Sequence, residues 1–291
     1  MKKTISILLI LFAFTNVQAQ KSDSIKYWKT GGSGSLMVNQ LTLTNWAAGG
    51  EAFSLSANGM FNLFANYKKD FTTWDNTFDI AYGIIKQGKD DLKKADDRLE
   101  FTSKYGQFAF KHWYYSGLIS FKSQMNDGFK YPNDSVRISS LFAPAYLTTS
   151  IGMDFKPNDH FSMLISPITG KTTFVMAQEL ADAGAFGVTA GENVKFEFGA
   201  YAKITYKKDL GKNINLLTKL DLFSNYLKDP EKVDVNWEVL LAMKVNKYIS
   251  VNINTLMIWD QDILITDADG LNPQARLQFK ELVGVGFSYK F

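Results

Sequence analysis

From Leu277 to Phe291 the chain alternates without a break. Leu277, Phe279, Val283, Val285, Phe287, Tyr289 and Phe291 fall on one face, with Glu281 the charge among them; Gln278, Lys280, Leu282, Gly284, Gly286, Ser288 and Lys290 fall on the other. A period of two makes a β-strand with one apolar face and one polar, small-residue face. A soluble sandwich strand alternates too, with its apolar side against a second sheet. A run this long that closes on an aromatic residue points instead to the last strand of an outer-membrane barrel. There one face meets lipid and the other lines the interior.

The same period recurs along the chain. Twelve segments carry it: about 33–43, 53–67, 73–84, 98–110, 113–122, 139–153, 161–169, 195–206, 214–226, 233–245, 249–259 and 277–291. In the fourth the phase is ambiguous. In lipid every backbone polar group needs a partner, so spanning strands must close on themselves. The expected fold is all-β: a transmembrane antiparallel up-and-down β-barrel of about twelve strands. The connections support it by alternating in length. Short ones such as Lys68-Lys69-Asp70, Lys111-His112 and Lys156-Pro157-Asn158-Asp159 alternate with longer ones at 44–52, 86–97, 127–138, 170–193, 227–232 and 260–276. Short periplasmic turns and long outer loops are the outer-membrane habit. Aromatics sit near the strand ends, with Trp74, Trp113, Tyr206, Tyr248, Tyr289 and Phe291 at the periplasmic side. Tyr82, Tyr226, Trp237 and Trp259 sit at the outer side.

The start of the chain has the order of an export signal. Lys2-Lys3 precedes the apolar run Ile5 to Phe14, and Val17-Gln18-Ala19 offers small residues for cleavage. The expected division is a signal peptide at 1–19, a periplasmic segment at 20–32 and an outer-membrane barrel at 33–291. No cysteine is present, which removes disulfides, zinc-thiolate sites and thiol nucleophiles. The net charge of +3 is small and evenly spread along the sequence, which argues against nucleic acid. The expected surroundings are outer-membrane lipid, with other envelope proteins and small solutes or ions as possible partners.

Chemistry is sparse. The polar strand faces place Asp75, Asp79, Lys195, Glu197, Lys203, Lys219, Asp221, Asp234, Glu238 and Lys280 in the lumen. Charged rings select ions, whereas opposite signs on neighbouring strands pair and fill space. Tyr201, Phe223 and Leu240 also project inward. His160 and Ser162, with Asp159, have the residue types of a nucleophile, base and acid, but a triad needs spatial convergence. Asp260, Asp262, Asp267 and Asp269 supply hard oxygens of the kind calcium takes, without the spacing of an EF-hand. Phe174 to Phe186 has the pattern of a short amphipathic helix in the longest loop, which would fold into the mouth or lie outward. No cofactor is expected and no residue is assigned a catalytic role.

Trp28-Lys29-Thr30-Gly31-Gly32 and Asn45-Trp46-Ala47-Ala48-Gly49-Gly50 together resemble an uncharacterised family of Bacteroidota outer-membrane barrels. That family is a domain of unknown function marked by Trp-Lys-x-Gly-Gly and Asn-Trp-x-x-Gly-Gly. The resemblance implies an outer-membrane barrel and no activity. Physically, both Gly-Gly pairs permit tight turns. Gly31-Gly32 would bend the chain into the first strand, and Gly49-Gly50 would turn the first outer loop into the second. Two functions follow from the sequence: a narrow pore or small-solute transporter with a charged lumen, or a non-conducting accessory barrel that docks with other envelope proteins.

Overall fold

The computed structural model describes residues 27–42, 53–131, 134–265 and 273–291. The expected signal peptide, Asn45, Trp46, Gly49, Gly50, Asp267 and Asp269 lie outside the described residues.

Twelve strands build the wall. They are β1 Trp28–Thr42, β2 Phe53–Lys69, β3 Thr72–Gln87, β4 Lys93–Phe110, β5 Trp113–Ser123 and β6 Ala145–Asn158. Then follow β7 Phe161–Phe174, β8 Val194–Gly211, β9 Ile214–Asn225, β10 Val233–Lys244, β11 Ile249–Trp259 and β12 Gln278–Lys290. Each pairs antiparallel with its neighbours in sequence, and β12 returns to β1, so the sheet is a closed barrel. Short turns such as Asp70-Phe71, Lys111-His112 and Asp159-His160 join strands at the end where β1 begins and β12 finishes. This is called the terminal end below, and the opposite one the loop end. Two small hairpins, Gly128–Phe129 with Arg137–Ser139 and Leu264–Ile265 with Gln274–Ala275, decorate loop-end connections.

Three expected boundaries are corrected. The sixth strand begins at Ala145 and not at 139. Arg137–Ser139 pairs back onto Gly128–Phe129, and Ser140 and Ala143 exchange backbone hydrogen bonds of 2.8 and 3.0 Å in a tight turn. The barrel strand resumes after Pro144, which has no N–H for a ladder. The seventh runs on to Phe174. The first begins at Trp28, so Gly31 and Gly32 lie inside a strand and do not bend the chain into it.

What the glycine pair does is close the barrel. Gly32 N donates to Phe291 O at 2.9 Å, and Phe291 N donates to Gly32 O at 3.0 Å. A Cβ on Gly32 would lie 2.7 Å from the Phe291 ring, and one on Gly31 would lie 2.8 Å from the Phe64 ring. Two bare positions let one ring lie against the strand outside and another inside.

The two faces of the wall are chemically opposite. Outside, Leu36, Phe61, Phe101, Ile119, Ile151, Phe196, Val285 and Phe287 are exposed, Ile151 and Phe287 at 66% each. An apolar surface of this extent is incompatible with water and matches the lipid-facing band of a membrane barrel. No described helix is long and apolar enough to cross a membrane; crossing falls to the strands. At the terminal end Trp28, Tyr67, Trp74 and Tyr105 form a continuous cross-strand row. Trp28 stands 5.2 Å from Tyr67 and 5.8 Å from Trp74. Amphipathic rings favour such an interface, and of these four only Trp74 was among the expected interface aromatics.

Candidate functional site in the lumen

Alternation turns the other half of each strand inward, and there the charges meet. At mid-height Arg98 Nη1 of β4 lies 2.6 Å from Glu238 Oε1 of β10, and Lys219 Nζ of β9 lies 3.1 Å from Asp79 Oδ2 of β3. In each pair the strands stand six places apart on the twelve-strand ring. These side chains therefore reach from one wall to the opposite one. Lys122 Nζ and Lys203 Nζ converge on Asp221 at 2.8 and 2.9 Å, and Tyr201 Oη donates to the same carboxylate at 2.9 Å. Asn254 Nδ2 donates to Glu238 at 3.1 Å. Among these charges, Leu118, Leu164, Tyr201 and Phe223 form a buried apolar cluster inside the barrel. Charges withdrawn from water into such surroundings hold together only when paired and hydrogen-bonded.

A second layer lies nearer the terminal end. Lys104 Nζ is 2.7 Å from Asp154 Oδ2, and Lys156 Nζ is 2.6 Å from Asp75 Oδ2 and 3.3 Å from Asp154 Oδ2. Ser162 Oγ donates to Asp154 Oδ1 at 2.9 Å and accepts a hydrogen bond from Lys104. His160 is not brought to Ser162: its Nδ1 lies 3.0 Å from the Lys207 carbonyl oxygen.

A third layer lies at the loop end. Lys171 Nζ stands 2.8 Å from Asp234 and 3.7 Å from both Glu197 and Asp260. Lys195 pairs with Glu197 at 3.2 Å and with Asp262, which also takes Lys228 at 3.0 Å. Burial alone would raise the Asp262 carboxyl, but hydrogen bonds from Lys195 and Lys228 hold it below the usual carboxylate range. Asp260 and Asp262 are thus committed to lysines. The long connection 175–193 carries a short helix, α1 Gln178–Asp182, and a 3₁₀ turn at Ala185–Gly187. Val175, Leu180, Ala181 and Val188 bury themselves against Ala143 of the neighbouring loop. The turn sits over the mouth: a Cβ on Gly187 would lie 3.0 Å from Asp262 Cβ and 3.4 Å from Lys195 Nζ. Of the two expected arrangements the loop takes the inward one, and the helix is shorter than the pattern from Phe174 to Phe186.

All ten charged residues expected in the lumen take part in ion pairs there. Lys280 reaches Asp96 of β4. Sequence reasoning missed other members of the network: Asp96, Arg98, Glu100 and Lys104 of β4, Asp154 and Lys156 of β6, and Lys171 of β7. All three strands were the poorly phased or misbounded ones. Their charges would have flagged them had the phase been fixed. Leu240 and the motif residues Trp28 and Lys29 form no part of this network.

The charges are also not evenly spread in space. At the terminal mouth Lys29, Lys68, Lys207, Lys244 and Lys290 form no ion pair with any described residue.

A family model described as "Protein of unknown function (DUF3078)" matches residues 38–129. That range takes in the Asn45-Trp46 motif and leaves the Trp28–Gly32 motif outside it. No curated protein matches the sequence. Among solved structures, an outer membrane channel from Pseudomonas putida F1 is similar at 10% identity and a TM-score of 0.42, over 95% of this chain and 100% of that one. The translocator domain of the autotransporter NalP from Neisseria meningitidis is similar at 8% identity and a TM-score of 0.40, over 100% and 98%. OmpT, an outer membrane protein of Vibrio cholerae, is similar at 8% identity and a TM-score of 0.32, over 94% and 100%.

Proposed function

We propose that this protein is an integral outer-membrane barrel whose lumen is closed by its own side chains. It serves the envelope as a non-conducting accessory barrel that docks with other envelope proteins. The observation that carries this reading is the pair of ion bridges between opposite walls, Arg98 to Glu238 and Lys219 to Asp79. A solute passing mid-height would have to break both and strand buried charges. The outer-membrane address is supported by the apolar wall and by the signal-like order of residues 1–19. Kinship with a Bacteroidota family, suggested by the two Gly-Gly motifs, belongs to the same proposal.

The second reading is the narrow pore or small-solute transporter, and the terminal mouth favours it. There the lysines are exposed and unpaired, which leaves a polar vestibule open to water. Single-channel recording of the refolded barrel in a planar bilayer decides between the two. Silence in the natural sequence, with steps of conductance in R98A/E238A lacking residues 175–193, is the expected result. Steady conductance in the unaltered protein would sink the closed-barrel reading.

A further inference from the structure

The terminal mouth breaks the rule that governs the rest of the lumen. Farther in, each lysine of the three layers has a carboxylate. At the mouth, Lys207 of β8, Lys244 of β10 and Lys290 of β12 have none among the described residues. The three strands alternate along one side of the ring, each separated from the next by one strand. Neighbouring strands stand about 4.8 Å apart, so each stem stands on the order of 10 Å along the wall from the next. That is near the screening length of about 8 Å at physiological salt, so repulsion between neighbouring stems is weakened and not abolished. Lys207 also extends inward, its Nζ 5.7 Å from the centre of the Phe64 ring that covers Gly31. The charges acting on Lys290 are Lys244, Lys207 and one carboxylate, Asp209. Asp209 accepts a hydrogen bond from Asn215 at 2.7 Å and forms no ion pair with the three.

An independent feature lies in the floor of the same mouth. Ser250 of β11 sits in register between Lys244 and Gly286 and is 1% exposed. Its Oγ has no hydrogen-bond partner. A buried hydroxyl without a partner is costly. Here it stands on the inward face beside a lysine, with a hydrogen to donate. Cations with no counter-charge and an idle buried donor are together what an oxyanion needs. Ammonium groups bind phosphate as point charges, and charge-assisted hydrogen bonds are the strong ones.

We propose that Lys207, Lys244, Lys290 and Ser250 form a binding site for a compact multivalent oxyanion, a phosphorylated or polycarboxylate small molecule, at the terminal mouth. The site does not depend on whether the lumen conducts, so it stands or falls apart from the closed-barrel reading.

The test is calorimetric titration of the folded chain in uncharged detergent with pyrophosphate and, separately, with citrate. Saturable binding of either probe, weakening as salt is raised, is expected, and the tighter of the two identifies the source of the anion. K207Q/K244Q/K290Q should weaken it about tenfold or more, and S250A by a smaller factor. K228Q/K232Q, at the loop end, should leave it unchanged. Heat-modifiable migration on a gel verifies folding, and K244Q alone substitutes for the triple variant if that one does not fold. No saturable binding of either probe, or binding that the folded lysine variant keeps in full, would overturn the proposal.

Discussion

Mid-lumen and terminal mouth are built from the same strands and the same residue types, yet they obey opposite rules. At mid-height the cations find carboxylates, some across the full width of the barrel. At the mouth, two to five turns of alternation further along β8, β10 and β12, exposed lysines form no ion pair with any described residue. The difference is one of solvent. A charge sealed from water needs a partner or it costs several kcal/mol, while a charge at the rim is hydrated and needs none. The barrel thus pairs its charges where pairing is compulsory and leaves them unpaired where pairing is optional.

The comparison breaks most easily at Glu238. It takes Arg98 and Asn254, and Lys219 lies 4.0 Å away. E238A takes from the Arg98 guanidinium its only ion-pair partner among the described residues, and a loss of about 3–5 kcal/mol is expected in urea unfolding of the detergent-folded barrel. Replacing both partners, R98M/E238L, should cost far less and can stabilise by up to about 4 kcal/mol, because no charge is then stranded. A double variant as unstable as E238A would mean that the pair contributes more than mutual neutralisation.

Asp262 sharpens the contrast at the loop end. Its carboxyl is depressed in the folded protein, so what it contributes is present above the ordinary carboxylate range and is lost as pH falls through the lower, folded value. Since the chain has no cysteine, E192C carries a single spin label on the 175–193 loop. The label should be immobile at pH 7 and loosen only below about pH 4, and D262N should loosen it already at pH 7. The smallest effect is expected at the mouth. K244Q should shift stability by no more than about 0.5 kcal/mol, and a shift as large as that of E238A would show that the rim is not free of structural load.

How much of this was legible depends on how cleanly each strand separates its two environments. In β12 and β8 one face is apolar and the other polar, and the phase could be read; the span could be read in β12, while β8 runs on to Gly211, past the expected end at 206. In β4 they could not, because polar residues stand on both faces. Ser103 faces outward, where it accepts from Trp74 Nε1 at 2.8 Å and donates to Asn76 Oδ1 at 2.8 Å. A satisfied polar group on the lipid side blurs the period that would have placed Arg98 and Glu100 inside. The inward position of the ten charges was readable one strand at a time. Their partners were not, since Arg98 and Glu238 lie 140 residues apart and meet only because twelve strands close a ring. The unpaired lysines were visible as residues but not as a group, because charge counted along a chain says nothing about which end of a barrel collects it.

The seam between β1 and β12 carries a consequence for assembly. It holds six residue pairs, Ser33–Val38 against Val285–Lys290, where β2 and β3 share sixteen. Until residues 278–291 have been placed, β1 has a neighbour on one side only, and the sheet is a ribbon with two raw edges. Such edges recruit other strands. Closing the ring must also bring together the two most distant strands of the sheet, the slowest kind of contact to make. The Gly32 and Phe291 backbones, which join first strand to last, are therefore the fastening of the whole sheet, and G32V, whose side chain would enter the space of Asn62 O, should leave a population of unfastened barrels that pair with one another.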